Sequence, residues 1–163
     1  MAAKAKAETA PLKFRAEDAE DLAVIAACIQ DAVVRKCDMS YLPREHRFAM
    51  VLNRYCWERE VRLRRGAGAR TRAGLHFEGV LKVETRGFRD LAAETPLELL
   101  TIVCETGTDG AATLFLPFAG GTEIRLHVEA IDGYLADLGP AWKTVNKPSH
   151  PVAAVEPPRR TRK

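Results

Sequence analysis

The stretch AGLHFEGVLKVET, residues 73–85, alternates apolar and polar side chains more cleanly than any other part of the chain. Its apolar positions are Leu75, Phe77, Leu81 and Val83, and its polar positions are His76, Glu78, Lys82 and Glu84. Val80 is the single exception. Successive side chains of a β-strand point to opposite faces, so this repeat of two predicts strand structure with one buried and one solvated face.

The same repeat of two continues from about Val33 to Val128. The other stretches that carry it are VVRKCDMSYL (33–42), FAMVLNRYCW (48–57), LELLTIVCE (97–105), AATLFLPF (111–118) and TEIRLHVEA (122–130). Short segments with the composition of turns separate most of them, as in antiparallel hairpins. LELLTIVCE is apolar at both alternating sets of positions, which predicts a strand covered on both faces. The whole pattern predicts about six antiparallel strands.

Two segments outside this pattern are expected to be helical. The first begins after Asp18, a suitable N-cap residue, and its apolar positions recur at helical spacing. Those positions are Leu22, Ile25, Ala26, Ile29 and Val33. The second, AIDGYLADLG (130–139), has Ile131, Leu135 and Leu138 at helical spacing, and Gly139 and Pro140 would end it.

The predicted fold class is therefore α+β. About six antiparallel strands would form a meander or a partly closed roll, with an N-terminal helix and a C-terminal helix. The order of elements is similar to that of pleckstrin-homology-like rolls, which is an analogy of outline alone. We predict one domain over residues 12–147, with tails at residues 1–11 and 148–163. Both tails lack the apolar residues that a core requires.

Composition narrows the cellular setting. The longest apolar run, LAVIAACI (22–29), is shorter than the roughly 20 residues that span a bilayer, so no membrane association is expected. No apolar leader precedes it in the first residues of the chain. The four cysteines, Cys28, Cys37, Cys56 and Cys104, are predicted to be buried free thiols in the reducing cytosol. A cytoplasmic location follows as an expectation.

An arginine-rich segment holds the basic excess of the chain's interior. Residues 59–72 contain six arginines and one glutamate, whereas residues 73–158 contain six basic and twelve acidic side chains. The arginines are Arg59, Arg62, Arg64, Arg65, Arg70 and Arg72, and the C-terminal tail adds Arg159, Arg160, Arg162 and Lys163. GAGARTR (66–72) lacks the third glycine and the following helix of a dinucleotide-binding loop. A phosphate-binding glycine loop is therefore not expected.

Two interpretations of the arginine-rich segment remain. It is either a solvated connection whose arginines pair with acidic residues of the body, or a contact for RNA or the ribosome. We favour the connection, because no aromatic residue between Trp57 and Phe77 is available to stack on a base. The acidic body would also repel a polyanion. No readout of a DNA sequence is expected.

Signals for catalysis are weak. The histidines lack metal-ligand spacing, and the only serines are Ser40 and Ser149, so no metal, cofactor or catalytic residue is predicted. One polar site is conceivable if two strands are neighbours. Its members would be His76, Glu78, Arg125 and His127. A solvated sheet face is the alternative that we favour for these four residues.

Longer motifs identify a resemblance. LKFRAEDAEDLAVIAACIQDAV, SYLPREHRFAMVLNRYCWE, RAGLHFEGVLKVETRG and LPFAGGTEIRLHVEAIDGYLADLGPAW closely resemble a bacterial family known as domain of unknown function 2948. The resemblance covers roughly residues 12–147. It implies a small, soluble, bacterial cytoplasmic protein, and it implies no activity, cofactor or catalytic residue.

These observations favour a non-catalytic binding module that contacts a protein partner or its own copy, which includes the possibility of a homodimer. The first alternative is an RNA- or ribosome-associated protein that uses residues 59–72 and the basic tail. The second is an enzyme of unrecognised class with a polar site around His76 and His127.

Overall fold

The structure, a computed structural model, describes residues 11–60 and 68–144, apart from the side chains of residues 59 and 60. The described chain is mostly β-structure. In chain order its elements are β1 (Lys13–Ala16), α1 (Ala19–Cys28), β2 (Ala32–Arg35), β3 (Met39–Leu42), β4 (Arg47–Tyr55), α2 (Trp57–Glu60), β5 (Gly68–Phe77), β6 (Val80–Arg86), β7 (Pro96–Leu99), β8 (Val103–Thr106), β9 (Ala112–Pro117), β10 (Glu123–Val128), β11 (Gly133–Asp137) and β12 (Trp142–Thr144).

These strands form two antiparallel sheets. In the eight-stranded sheet the order is β1-β11-β5-β4-β2-β7, with β12 paired to β5 and β3 paired to β4. In the four-stranded sheet the order is β6-β10-β9-β8. The apolar faces of both sheets and of α1 contribute to one hydrophobic core, which includes Leu22, Met50, Phe77, Leu114 and Leu126. Sealing both sheets against this core leaves each with one outer face.

The stretch 73–85 is β-structure, as predicted, but it spans both sheets. Leu75 and Phe77 at the end of β5 are buried, and Gly79 then adopts a positive φ of 67° before β6 begins in the other sheet. This turn shifts the alternation by one residue. Val80 is therefore buried, and Leu81, which the pattern places inside, is 54% exposed.

The N-terminal helix is confirmed. Asp18 caps α1, and its carboxylate accepts a hydrogen bond of 2.7 Å from the backbone N–H of Asp21. Leu22 and Ile25 are buried on the face that packs against the core. The helix ends at Cys28, so Val33, which the helical spacing includes, lies instead in β2.

The predicted C-terminal helix is wrong, and with it the α+β class and the pleckstrin-homology-like outline. Residues 133–137 form β11, which pairs with β1 on one side and β5 on the other. Gly133 and Leu135 are buried while Tyr134 is only partly covered, which is a repeat of two. The helical spacing of Ile131, Leu135 and Leu138 is coincidental. As a strand paired on both edges, the segment satisfies its backbone N–H and C=O groups with hydrogen bonds to β1 and β5.

The predicted count of about six strands is also wrong. Three predicted strands, 33–42, 73–85 and 97–105, are each divided into two, and the described residues add β1, β11 and β12. A single turn of 3-10 helix at Lys36–Asp38 separates β2 from β3. The stretch 97–105 contributes β7 to the eight-stranded sheet and β8 to the four-stranded sheet. The apolar residues at both alternating sets of positions in 97–105 therefore indicate a chain that passes from one sheet to the other, not one central strand. The partly closed roll is thus replaced by two packed sheets.

Both predicted tails lie outside the described residues, except for Pro11. Within residues 11–60 and 68–144, no helix has the length and apolar character needed to cross a bilayer.

Candidate binding surface

Strand β5 lies at the centre of the eight-stranded sheet and separates two chemically different sides. Its odd-numbered residues from Ala69 to Phe77 are buried, and the even-numbered residues from Arg70 to His76 lie on the outer face. Because paired residues of neighbouring antiparallel strands point to the same side, the outer face continues through Asn53 of β4, opposite Arg72. The two sides are most distinct at the N-terminal end of β5.

The inner side of this end holds a buried arginine. Arg54 of β4 is 1% exposed. Its Nε and Nη2 donate hydrogen bonds of 2.8 and 2.9 Å to the carboxylate of Asp137 in β11. Its Nη1 and Nη2 donate bonds of 3.0 and 2.7 Å to the carboxylate of Glu58 in α2. The guanidinium is therefore satisfied by two carboxylates, and it ties α2 and β11 to β4.

Electrostatics in this cluster favour the charged forms. Burial alone would lower the pKa of Arg54, but its hydrogen bonds to Asp137 and Glu58 raise that pKa above the ordinary value. Burial acts to raise the pKa of Glu58, but the hydrogen bond and positive charge of Arg54, together with a backbone hydrogen bond, outweigh burial and lower that pKa. The backbone N–H of Leu12 also donates to Asp137, at 2.9 Å. We call Arg54, Glu58 and Asp137 the clasp, because their hydrogen bonds hold α2 and β11 to β4.

The outer side of the same end holds Arg70 and Arg72. Arg72 is exposed, and neither arginine forms an ion pair with a carboxylate within the described part of the chain. Arg70 donates a hydrogen bond of 3.4 Å to the carbonyl of Asn53, and its guanidinium lies 5.9 Å from the centre of the Tyr55 ring. Among the described side chains, no carboxylate therefore offsets the charge of these two arginines.

Large apolar side chains lie beside these arginines. Trp142 of β12 is the register partner of Arg70 and is 43% exposed. Leu138 is 57% exposed and lies over Gly74, with its Cδ1 3.6 Å from where a Cβ would stand. The backbone N–H of Leu138 donates to the carbonyl of Arg72 at 2.7 Å. We call Arg70, Arg72, Leu138 and Trp142 the basic end of the sheet.

Gly68, the first residue of β5, makes room for this arrangement. The ring of Tyr55 lies against Gly68, and a Cβ there would overlap the ring. Tyr55 is buried, with Arg70 over its ring and Trp57 in edge contact at 4.6 Å between ring centres. A glycine is therefore required where the ring crosses the strand.

Gly68 and Thr144, the ends of β5 and β12 nearest the undescribed parts of the chain, are register partners. In sequence, residues 61–67 with three arginines precede β5, and the C-terminal RRTRK follows β12 at residues 159–163.

A second cluster on this outer face contains two of the predicted polar-site residues. The ring of His76 is stacked on that of Tyr134, with 4.6 Å between ring centres, and its Nε2 lies 3.5 Å from Glu78. Burial lowers the pKa of His76. Glu78 accepts a 2.6 Å hydrogen bond from Arg47, and Arg15 lies over the Tyr134 ring at 5.2 Å. Each charge here has a partner of opposite sign.

The other two polar-site residues lie in β10, in the four-stranded sheet. Nε2 of His127 is 2.8 Å from Glu84, and its Nδ1 is 3.5 Å from the hydroxyl of Thr113. Arg125 contacts Glu123 at 3.3 Å. Hydrogen bonding to His127 lowers the pKa of Glu84. On this face of the four-stranded sheet, basic and acidic side chains of neighbouring strands lie beside each other.

The structure thus brings His76 together with Glu78, and His127 together with Glu84, in different sheets. It does not bring His76, Glu78, Arg125 and His127 together as one site. Of the six arginines, the structure shows the side chains of Arg70 and Arg72. The side chains of Arg59, Arg62, Arg64 and Arg65, like the basic tail, lie outside the described residues.

The cysteines are free thiols, but only one is buried. Cys56 is buried, Cys37 is exposed, and Cys28 and Cys104 are intermediate, so the prediction of four buried thiols is wrong. Burial raises the pKa of Cys28 and Cys104, which keeps both in the thiol form. Among the described residues, no three His, Cys, Asp or Glu side chains are grouped to hold a metal ion.

Sequence reasoning missed Arg54, Asp137 and Tyr134. A signal for Arg54 was present, because it occupies the same alternating set as Met50 and Leu52, which are buried. An arginine in an apolar row indicates a buried ion pair. Nothing comparable identified Asp137 or Tyr134, since both lie in the segment assigned to a helix.

Comparison with known proteins identifies a family. A family described as "Protein of unknown function (DUF2948)" matches residues 12–150. No curated protein and no solved structure matches the chain.

Proposed function

The chain belongs to the DUF2948 family, and from its geometry we propose a non-catalytic binding module that docks an anionic partner on the basic end of the eight-stranded sheet. One observation carries this proposal. Arg70 and Arg72 lie together on one outer face beside the exposed Trp142, without a carboxylate partner among the described side chains, whereas Arg54 and Arg47 are paired with carboxylates. A cationic surface with a large apolar neighbour suits an anionic partner that also buries apolar area.

The acidic excess of the body opposes this docking less than its charge count suggests. Four of its carboxylates are ion-paired away from the basic end. They are Glu78, Glu84, Glu123 and Asp132. Pairing with Arg, Lys or His reduces the field that they project toward an approaching anion. The repulsion expected from sequence is correspondingly weaker.

The two alternatives from sequence receive different support. RNA association is favoured by the exposed Arg72, the partly exposed Arg70 and the exposed Trp142 beside them. The enzyme alternative depended on His76 and His127 sharing a site, and these residues lie in separate sheets. The free thiols are compatible with a reducing compartment, so a bacterial cytoplasmic location remains part of the proposal.

Retention on heparin–agarose tests the proposal, because heparin is a generic polyanion. We expect the double variant Arg70→Ala/Arg72→Ala to elute at lower salt than the parent protein. The matched control is Lys82→Ala/Arg89→Ala, which removes the same charge from β6 and the loop after it. The control should elute close to the parent protein. Equal shifts for both double variants would show that only net charge matters and would refute the surface.

Self-association through the same surface is the competing outcome. Light scattering of the parent protein and of Leu138→Asp, over a range of concentrations, separates the two. A dimer that becomes monomeric in Leu138→Asp would assign the basic end to a copy of the chain, which contradicts an anionic partner.

A further inference from the structure

We infer that the partner of the basic end is single-stranded nucleic acid, with an unpaired base stacked on Trp142 and neighbouring phosphates on Arg70 and Arg72. This inference rests on the proposed function and names the ligand class of the same surface.

The position of Trp142 suits the stacking of a base. Arg70 and Trp142 are distant in sequence, but they are register partners in adjacent strands, so their side chains lie on the same side of the sheet. The indole is 43% exposed. The aromatic residue that the arginine-rich segment lacks in sequence is therefore supplied by β12. A stacking surface and its cations lie side by side, as binding of single strands requires.

The spacing of Arg70 and Arg72 suits the binding of consecutive phosphates. Arg70 and Arg72 lie two residues apart on one strand and on one face, which separates their Cα atoms by about 7 Å. Consecutive phosphates of an extended single strand can match that separation. Neither arginine has a carboxylate partner among the described side chains, so no ion pair between described residues has to break on binding.

An unpaired strand fits the basic end better than a duplex or an acidic protein does. The basic end is an open sheet face, not a protruding helix or ribbon that could enter a groove. A duplex could use the arginines through its phosphates but could not stack a base on Trp142. An acidic polypeptide could likewise pair with the arginines without an aromatic plane. Trp142 is thus the residue that separates the three ligands.

The experiment measures the affinity of the full chain for a labelled oligouridylate of about twelve nucleotides, a length within the range of single-strand sites. Trp142→Leu keeps apolar bulk without a ring, and we expect it to bind about five- to 150-fold more weakly, the effect of losing one stacked base. Trp142→Phe keeps a ring and should retain most of the affinity. Circular dichroism and urea unfolding check that all variants fold alike.

Quenching of Trp142 fluorescence gives a second readout. In a Trp57→Phe background Trp142 is the only tryptophan, and we expect its emission to fall as oligouridylate binds. Lack of quenching despite binding would overturn the stacking role. Equal weakening in Trp142→Leu and Trp142→Phe would also overturn it.

Two comparison ligands keep this inference separate from the proposed function. A blunt RNA duplex of matched length and poly-L-glutamate are titrated under the same conditions. Weaker binding of both than of oligouridylate supports the inference. Equal or tighter binding of either, still lost in Arg70→Ala/Arg72→Ala, would refute the single-strand ligand and leave the anion-binding surface standing. Failure of all three ligands to bind would refute both.

Discussion

Arg54 and Arg72 are near neighbours on the two sides of one sheet, yet their environments are opposite. Arg54 pairs in register with Thr71, the residue before Arg72. It is 1% exposed and holds the carboxylates of Glu58 and Asp137. Arg72 is exposed and has no carboxylate partner in the described part of the chain.

The difference shows that burial and carboxylate partners, not the residue type, determine whether an arginine is part of the packed structure or remains available to a ligand. On the inner side the charge is desolvated and fully bonded, so removing it leaves two carboxylates without a partner and destabilises the fold. On the outer side the charge remains available, so it contributes to binding and little to stability. Substitutions on the two sides should therefore separate stability from affinity.

The largest expected effect is that of Arg54→Met. Removing the guanidinium leaves two carboxylates without their partner, one of them on the 9%-exposed side chain of Asp137. Breaking a buried ion pair from one side costs about 3–5 kcal/mol, and we expect a loss of that order in the free energy of unfolding. Urea denaturation followed by circular dichroism measures it.

Arg72→Met is the matched control for that substitution. It removes the same charged group from the exposed side, where substitutions usually change stability by less than about 0.5 kcal/mol. Equal destabilisation by Arg54→Met and Arg72→Met would contradict the claim that only the arginine on the inner side affects stability.

A smaller effect is expected from pH. The pKa of Glu58 is lowered below its ordinary value of 4.5, so in acid the unfolded chain binds more protons than the folded chain at this residue. Stability from Glu58 is complete above the ordinary pKa and is lost as pH falls through the folded pKa. Between about pH 5 and about pH 3, the parent protein should therefore lose stability more steeply than Glu58→Gln.

Urea midpoints of the two proteins across this pH range test the expectation. Carboxylates remote from Arg54 titrate alike in both, so the difference between the curves reports Glu58 together with its coupling to Asp137 through Arg54. Parallel curves would show that the clasp with Arg54 does not perturb Glu58.

The smallest effect is expected on the four-stranded sheet. Lys82 and Glu84 form an ion pair of 3.2 Å, but their side chains are 67% and 43% exposed. Water screens such a pair, so Lys82→Ala should leave the thermal midpoint within the error of the measurement. A loss comparable to that of Arg54→Met would mean that pairing, and not burial, sets the stability contributed by these charges.

Local signals in the sequence predicted part of this fold. The cap at Asp18 and the alternation in 48–57, 111–118 and 122–130 correspond to α1, β4, β9 and β10. The C-terminal helix was wrong because helical spacing and strand pairing compete in 130–139. Pairing of β11 with β1 and β5, which are remote in sequence, favours the strand.

The candidate surface was predictable only in part. Arg70 and Arg72 were identified from charge alone. That Trp142 stands beside Arg70 depends on the register of β12 with β5, which no local pattern encodes. The same holds for the four-residue polar site, because alternation gives the face on which a side chain lies but not the sheet to which its strand belongs.

The most direct test of the account is the salt dependence of oligouridylate binding by the parent protein and by Arg70→Ala/Arg72→Ala. Each phosphate neutralised on a single strand contributes about 0.7 to the slope of log K against log salt concentration. If both arginines bind phosphates, the slope of the double variant should be shallower by about 1.4, with its urea midpoint unchanged. An unchanged slope would contradict the assignment of the outer side to binding.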